Sequence, residues 1–211
     1  IEEMLSCGVS AFADFREGGL RGVSLLREAA SRYPIRAVAL CRPVGDIEKS
    51  EEALEDFAKA VEASEGVGLS SALEHSDGEL RLAAELARDK LRACHASEAR
   101  PGEAYRALEL LKPSFLVHLT KADRRELAAV ADEKVPVVCC PRSNLTMGMG
   151  PPPLKAMLDE GIAVALGTDN VMACSPNPFR EMEVAFAILK SQGARADASE
   201  VLRMATSNAA R

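Results

Sequence analysis

Two histidines and two carboxylates are the residues of this chain best suited to chemistry, and they recur at comparable points of successive apolar runs. Arg92-Ala93-Cys94-His95-Ala96-Ser97-Glu98 ends one run with an imidazole and sets a carboxylate just beyond it. Phe115-Leu116-Val117-His118 ends the next run with a second imidazole, and Val164-Ala165-Leu166-Gly167-Thr168-Asp169 ends the last with an aspartate. Imidazole nitrogen with carboxylate oxygen suits zinc or ferrous iron, and such an ion with one open position lowers the pKa of bound water to about 7. A free carboxylate beside that water, the place expected of Glu98, could pass its proton to a leaving group.

Taken singly, each residue has a plainer reading. A histidine at a strand end needs only a hydrogen-bond partner, and Asp169 alone could cap a turn. The chain holds three histidines in all, however, and two of them share one structural rank on adjacent strands. That coincidence argues for a shared site. His75 has no such companions and reads as a polar loop residue.

The elements that must position these groups follow from periodicity. Short β-rich apolar runs at 10–15, 35–41, 66–70, 91–95, 114–118, 135–139 and 162–168 read as strands. Between and after them, 19–31, 47–63, 78–90, 103–111, 121–132, 152–160 and 178–190 read as helices, most with apolar residues at i, i+3 and i+4. Asp77 and Thr120 stand where N-caps are expected, and Gly161 where a C-cap is expected. Alternation of this kind builds a parallel sheet with crossover helices.

Asp14, Arg16, Glu74, His95, Glu98, His118, Arg142, Asn144 and Asp169 fall at or just after the C-terminal ends of nearly all these strands. A doubly wound sheet concentrates its site at one switch point, whereas a (βα)8 barrel gathers it from many strand ends. The barrel fits better. No G-x-G-x-x-G or Walker-type glycine loop follows the first strand, so nucleotide binding of those kinds has no support.

Bulk properties narrow the rest. At 211 residues, 47% hydrophobic and 27% charged, the chain can bury one sizeable core and reads as a single domain spanning 1–211. Its net charge of -6 is spread along the chain, with no Lys/Arg run of the kind that tracks phosphates, so a nucleic-acid partner is not expected. No apolar stretch nears the roughly 20 residues that span a bilayer, and Ile1-Glu2-Glu3-Met4-Leu5 lacks the order of a secretory signal. The expected setting is cytoplasmic, with no membrane partner. Cys7, Cys41, Cys94, Cys139, Cys140 and Cys174 show no C-x-x-C spacing and read as reduced structural thiols.

Four segments in this order and spacing, His95-Ala96-Ser97-Glu98, Val117-His118-Leu119-Thr120, Cys140-Pro141-Arg142-Ser143-Asn144 and Leu166-Gly167-Thr168-Asp169-Asn170, resemble the fifth to eighth strand ends of the amidohydrolase superfamily. The similar branch includes cytosine, guanine and S-adenosylhomocysteine deaminases and the triazine hydrolases. The resemblance implies an incomplete (βα)8 TIM barrel with strands 2 to 8 present. It implies one divalent metal ion, zinc or iron, with His95, His118 and Asp169 as the metal residues. It also implies catalytic work for Glu98 as proton shuttle, Asp169 as proton acceptor, and His118 as the group that polarises substrate or steadies hydroxide.

The sequence departs from that pattern in two respects. The family's first strand ends in His-x-His, a pair found nowhere in this chain, and the strand at 10–15 resembles the family's second, with Asp14 to Gly19 at its mouth. The family's β-sandwich is also missing, and Ala205 to Arg211 resembles the start of a helix leading into it. The chain therefore reads as a fragment of a longer hydrolase, or as one divided from its N-terminal part, whose visible ligands, two or three in number, would hold metal weakly.

The expected partner is a small-molecule substrate, with self-association left open. Glu74, Arg142 and Asn144 are the candidate substrate-binding residues. Arg142 offers a planar fork for a carboxylate or ring carbonyl, or else a salt bridge to a loop carboxylate. Residues 140–144 show no helical period, 147–153 reads as a glycine loop stopped by prolines, a lid or a connector, and the apolar 171–176 loop is expected beside a flat ligand. The reaction expected is hydrolysis of a C–N bond in a small polar, heterocyclic or amidine-like molecule, most simply deamination. The alternatives are an isomerase or lyase on the same scaffold, or a non-catalytic barrel remnant serving as an interaction or regulatory subunit.

Overall fold

The computed structural model describes residues 1–195 and 197–210. Arg211, the last residue of the segment read as the start of a helix, lies outside them. All seven expected strands form: β1 (Ala11–Arg16), β2 (Arg36–Cys41), β3 (Gly66–Leu69), β4 (Leu91–Ala96), β5 (Phe115–His118), β6 (Val137–Cys139) and β7 (Val164–Leu166). They follow one another in chain order, and every pairing with a register is parallel. The chain divides into two compact units where the sequence reads as one domain: Ile1–Cys94 with Glu109–Ser114, and His95–Leu108 with Phe115–Arg211. No helix among the described residues is long and apolar enough to cross a membrane.

In the first unit, β1 to β3 and the start of β4 run side by side, Asp14 beside Ala39 and Gly66 beside both Leu40 and Leu91. Small residues make this possible. A Cβ on Gly66 would meet the Leu91 carbonyl oxygen at 2.0 Å, so only glycine admits the neighbouring strand. The helices Gly19–Ala30, Glu51–Ala63 and Asp77–Leu86 bury Val23, Leu26, Phe57, Val61, Leu80 and Ala83 as their apolar stripes. Phe57 alone contributes about 1.5–3 kcal/mol by leaving water. The last turn of Glu51–Ala63 is closed by Lys90, whose Nζ donates to the carbonyls of Val61, Glu62 and Ser64 at 2.6–2.7 Å. Asp77 is not the N-cap of its helix. Ser76 holds that place in a reciprocal capping box with Glu79, because the cap residue must keep an extended backbone outside the first turn.

In the second unit, the end of β4 leads to β5, β6 and β7, with Leu116 beside Val137 and Val137 beside Val164. Thr120 likewise gives up its expected capping role to Asp123, whose carboxylate accepts from the amides of Arg125 and Glu126 to start Arg124–Asp132. Gly161 does follow its helix, Leu154–Asp159, in the left-handed conformation with φ +78, and its amide donates to Leu158. Residues 140–144 depart from expectation. Pro141–Thr146 is a six-residue helix with Pro141 in its first turn, too short for an apolar period to show.

Candidate active site

Every residue of the candidate site in the second unit is delivered from a strand end or from that short helix. His118 closes β5 with φ +77 and Leu119 follows at φ +49; Ser97, just past β4, has φ +48, and Asp169, just past β7, has φ +57. Left-handed backbone costs a non-glycine residue about 1–2 kcal/mol. Its persistence at four points around one cluster marks geometry that the surroundings enforce. Part of the enforcement is visible: the Leu119 amide donates to the Ala96 carbonyl at 3.0 Å and the Lys121 amide to Ser97 at 2.7 Å, which ties the exits of β4 and β5 together.

A buried carboxylate secures the loop that carries Glu98. Glu126, with no exposure, accepts from the Ser97 hydroxyl at 2.5 Å and from the amides of Gly102 and Ala104 at 2.9 and 2.7 Å. Glu103 adds a second anchor by accepting the Ser97 amide at 3.1 Å. A carboxylate buried among donors of this kind is stabilised where it would otherwise be expelled.

His95, Glu98 and His118 each offer a ligand atom, all within 4.8 Å of one another. His118 Nε2 lies 3.2 Å from His95 Nδ1 and 3.7 Å from Glu98 Oε2, and the imidazole of His118 is almost wholly buried. The short helix supplies the supports. Its Asn144 reaches His118 Nδ1 at 3.1 Å and Glu98 Oε1 at 3.3 Å, while the Ser143 hydroxyl donates to Asp169 Oδ2 at 2.5 Å. Asp169 thus stands outside the group of three, attached to it through neighbouring residues of one helix. Two imidazoles and a carboxylate, with a second carboxylate close in the chain of contacts, form a nitrogen and oxygen donor set that fits a borderline divalent ion such as zinc.

Arg142 and Glu74 have partners of their own within the chain. Arg142 donates from Nε to Glu181 Oε1 at 2.6 Å, from its amide to Glu181 Oε2 at 3.2 Å, and from its Nη atoms to Ser175. Glu181 is 1% exposed; burial raises its pKa and the Arg142 guanidinium pulls it back. Of the two readings of this fork, substrate contact or a salt bridge to a carboxylate, the salt bridge is formed, and it clamps the 171–176 loop to the helix Pro178–Ser191. Beside it opens a cavity of about 520 Å³ lined by Arg142, Leu145, Thr146, Cys174, Ser175 and Arg180, among others. Glu74, in the first unit, is exposed and accepts a hydrogen bond from Ser70.

Sequence reasoning missed Glu126, Ser143 and Glu181. Glu126, three residues after Asp123, carried only the signature of a first-turn acid, and Glu181 carried the same signature after Asn177. The thiols are the quiet part of the site. Burial pushes Cys139 up to about 12 and Cys140 well above its ordinary value, the latter helped by the charge of Asp169, so both stay neutral and weakly nucleophilic.

The amidohydrolase family model matches residues 1–211. An uncharacterized protein of Methanocaldococcus jannaschii is 34% identical over 99% of this chain and 57% of its own length. The 5-methylthioadenosine/S-adenosylhomocysteine deaminase of Moorella thermoacetica is 31% identical over 90% of this chain and 43% of its own. The chain spans about half the length of the curated relatives it matches. Guanine deaminase from C. acetobutylicum, solved with guanine in its active site, superposes with a TM-score of 0.84 at 15% identity, covering 99% of this chain and 59% of that one. That likeness shows the fold class, α/β with the strand succession of an incomplete (βα)8 barrel.

Proposed function

Because the chain belongs to the amidohydrolase family, we propose that it carries catalytic residues of a metal-dependent hydrolase that breaks a C–N bond in a small polar substrate, heterocyclic or amidine-like, most simply by deamination. The observation that carries this reading is the convergence of His95, Glu98 and His118 within 4.8 Å, with Asp169 bonded to Ser143, the chain neighbour of the Asn144 that reaches His118 and Glu98. His95 and Asp169 are the proposed holders of one divalent ion, zinc or iron, with His118 as a further candidate; when bound, the ion supplies Lewis acidity toward water and substrate.

Glu98 does the proton work. Partly exposed and anchored by Asn144, it takes the proton of an attacking water and delivers it to the departing nitrogen, so that ammonia leaves neutral. Asp169 is the second proton acceptor, its other oxygen occupied by Ser143. His118 is open to two roles, ion ligand or hydrogen-bond donor toward the oxygen on which charge develops. A remnant freed from catalysis would have no need to hold Ser97, His118, Leu119 and Asp169 in left-handed backbone, and this supports the enzymatic reading.

The test is metal analysis of the full-length protein together with ammonia release across a panel of aminated purines and pyrimidines, beginning with adenine nucleosides because of the relative from Moorella. Bound zinc or iron with release from one compound class is the expected result. A protein that stays inert after reconstitution with either metal overturns the proposal.

A further inference from the structure

We propose that Asn144 is a positioning residue that fixes the tautomer of His118, so that this ring donates a hydrogen bond from Nε2. The Asn144 side chain has no exposure, and one end of its amide lies 3.1 Å from His118 Nδ1 and 3.3 Å from Glu98 Oε1. The carboxylate decides which end that is. An ionised carboxylate only accepts, so the amide oxygen placed there would face another oxygen with no proton between them. The amide nitrogen, with two hydrogens, satisfies both neighbours at once. This holds even though the orientation leaves Asn144 Oδ1 buried without a hydrogen-bond partner, a cost accepted only where the other end is strongly held.

The consequence passes to the ring. His118 Nδ1 must present its lone pair to the Asn144 N–H, so a neutral His118 carries its proton on Nε2. That N–H points to His95 Nδ1 at 3.2 Å, with Glu98 Oε2 at 3.7 Å. A ring held this way has no free lone pair on Nε2 for an ion and offers a donor instead. The assignment of that donor to catalysis rests on the hydrolase reading above; the tautomer itself does not.

The experiment is long-range proton–nitrogen correlation NMR on the full chain with nitrogen-15 in its histidines, prepared without metal, with His118 assigned by comparison with His75→Gln and His95→Gln. The expected spectrum has His118 protonated on Nε2 and bare on Nδ1. A wild-type ring protonated on Nδ1 overturns the proposal. Asn144→Asp places an acceptor opposite Nδ1 and is expected to reverse the pattern; an unchanged ring in the folded variant also overturns it. Should that variant fail to fold, Asn144→Ala is expected to show both tautomers, and a pure Nε2–H form there is again fatal. With an active substrate in hand, Asn144→Ala is expected to lower kcat about 10- to 100-fold with little change in KM. Ring nitrogens that behave as expected in a protein inert toward every substrate would sink the hydrolase reading and leave the role of Asn144 standing.

Discussion

The two units differ in which residues they place in left-handed backbone. In the first unit the described residues with positive φ are Gly8, Gly18, Gly19, Gly45 and Lys112, so all but one are glycines. In the second unit five glycines, Gly102, Gly148, Gly150, Gly161 and Gly193, adopt it too, but so do Ser97, His118, Leu119, Lys134 and Asp169, with side chains attached. Glycine makes a turn without steric penalty but brings no functional group. Where the second unit turns at a strand end, the turning residue is the imidazole or carboxylate itself, or its immediate neighbour. The lesson is that strain collects where a side chain with chemistry must also be the hinge of the chain.

The largest effect expected from breaking this contrast is on rate. Glu98→Gln keeps the shape and the contact with Asn144 but loses the proton, and is expected to lower kcat about 10²–10⁴-fold with unfolding by urea unchanged. Arg142→Ala is expected to destabilise the protein by about 3–5 kcal/mol, measured by chemical denaturation, because it leaves the buried Glu181 without its counter-charge, holding only the amide of residue 142. Glu126→Ala strands one hydroxyl and two amides around the Glu98 loop and is expected to lower stability by about 3 kcal/mol. In the same assay Glu65→Ala, which frees the Ala39 amide and leaves Arg27 only its bonds to the Ala63 carbonyl, should cost about 1 kcal/mol.

Smaller effects test the backbone directly. Gly18→Ala, at φ +81, is expected to destabilise by about 1 kcal/mol, whereas Lys134→Gly, at φ +55, should relieve strain and come out neutral or stabilising by less than about 1 kcal/mol. The smallest expected effect concerns pH. Burial raises the Asp14 carboxyl above its usual 3.8, against the pull of Arg16, so the folded state holds this proton more tightly than the unfolded chain. Stability from this group is therefore present below 3.8 and falls as pH rises through the raised folded value. Asp14→Asn should flatten the stability profile in that acidic window.

What was legible in the sequence follows from the range of the forces involved. All seven strands were visible because each is a short apolar run whose neighbours break its pattern, though the ends of β6 and β7 proved shorter than 135–139 and 162–168. Caps were misplaced by one residue at Ser76 and by three at Asp123, since several adjacent polar residues qualify and backbone geometry chooses among them. His95, Glu98 and His118 could be grouped because strand ends in a βα succession share a level. The supports could not. Glu126 and Glu181 look like solvent-facing charges in one dimension, and only the fold shows that their partners, Ser97 and Arg142, arrive from 29 and 39 residues away. The same distance hid which carboxylate, Glu181, would take up the salt bridge that was one of the two readings of Arg142.

Helix Pro141–Thr146 has six residues, fewer than an isolated helix needs to persist in water. Its form is therefore borrowed from what it touches, and the debt runs both ways. Ser143 and Asn144 hold Asp169, His118 and Glu98, and those three in turn keep the single turn wound. Anything that engages the imidazoles and carboxylates should slow amide exchange at Asn144 and Met147, whose N–H groups bond to Cys140 and Ser143. Occupancy of the site would then be readable from the backbone of this short helix.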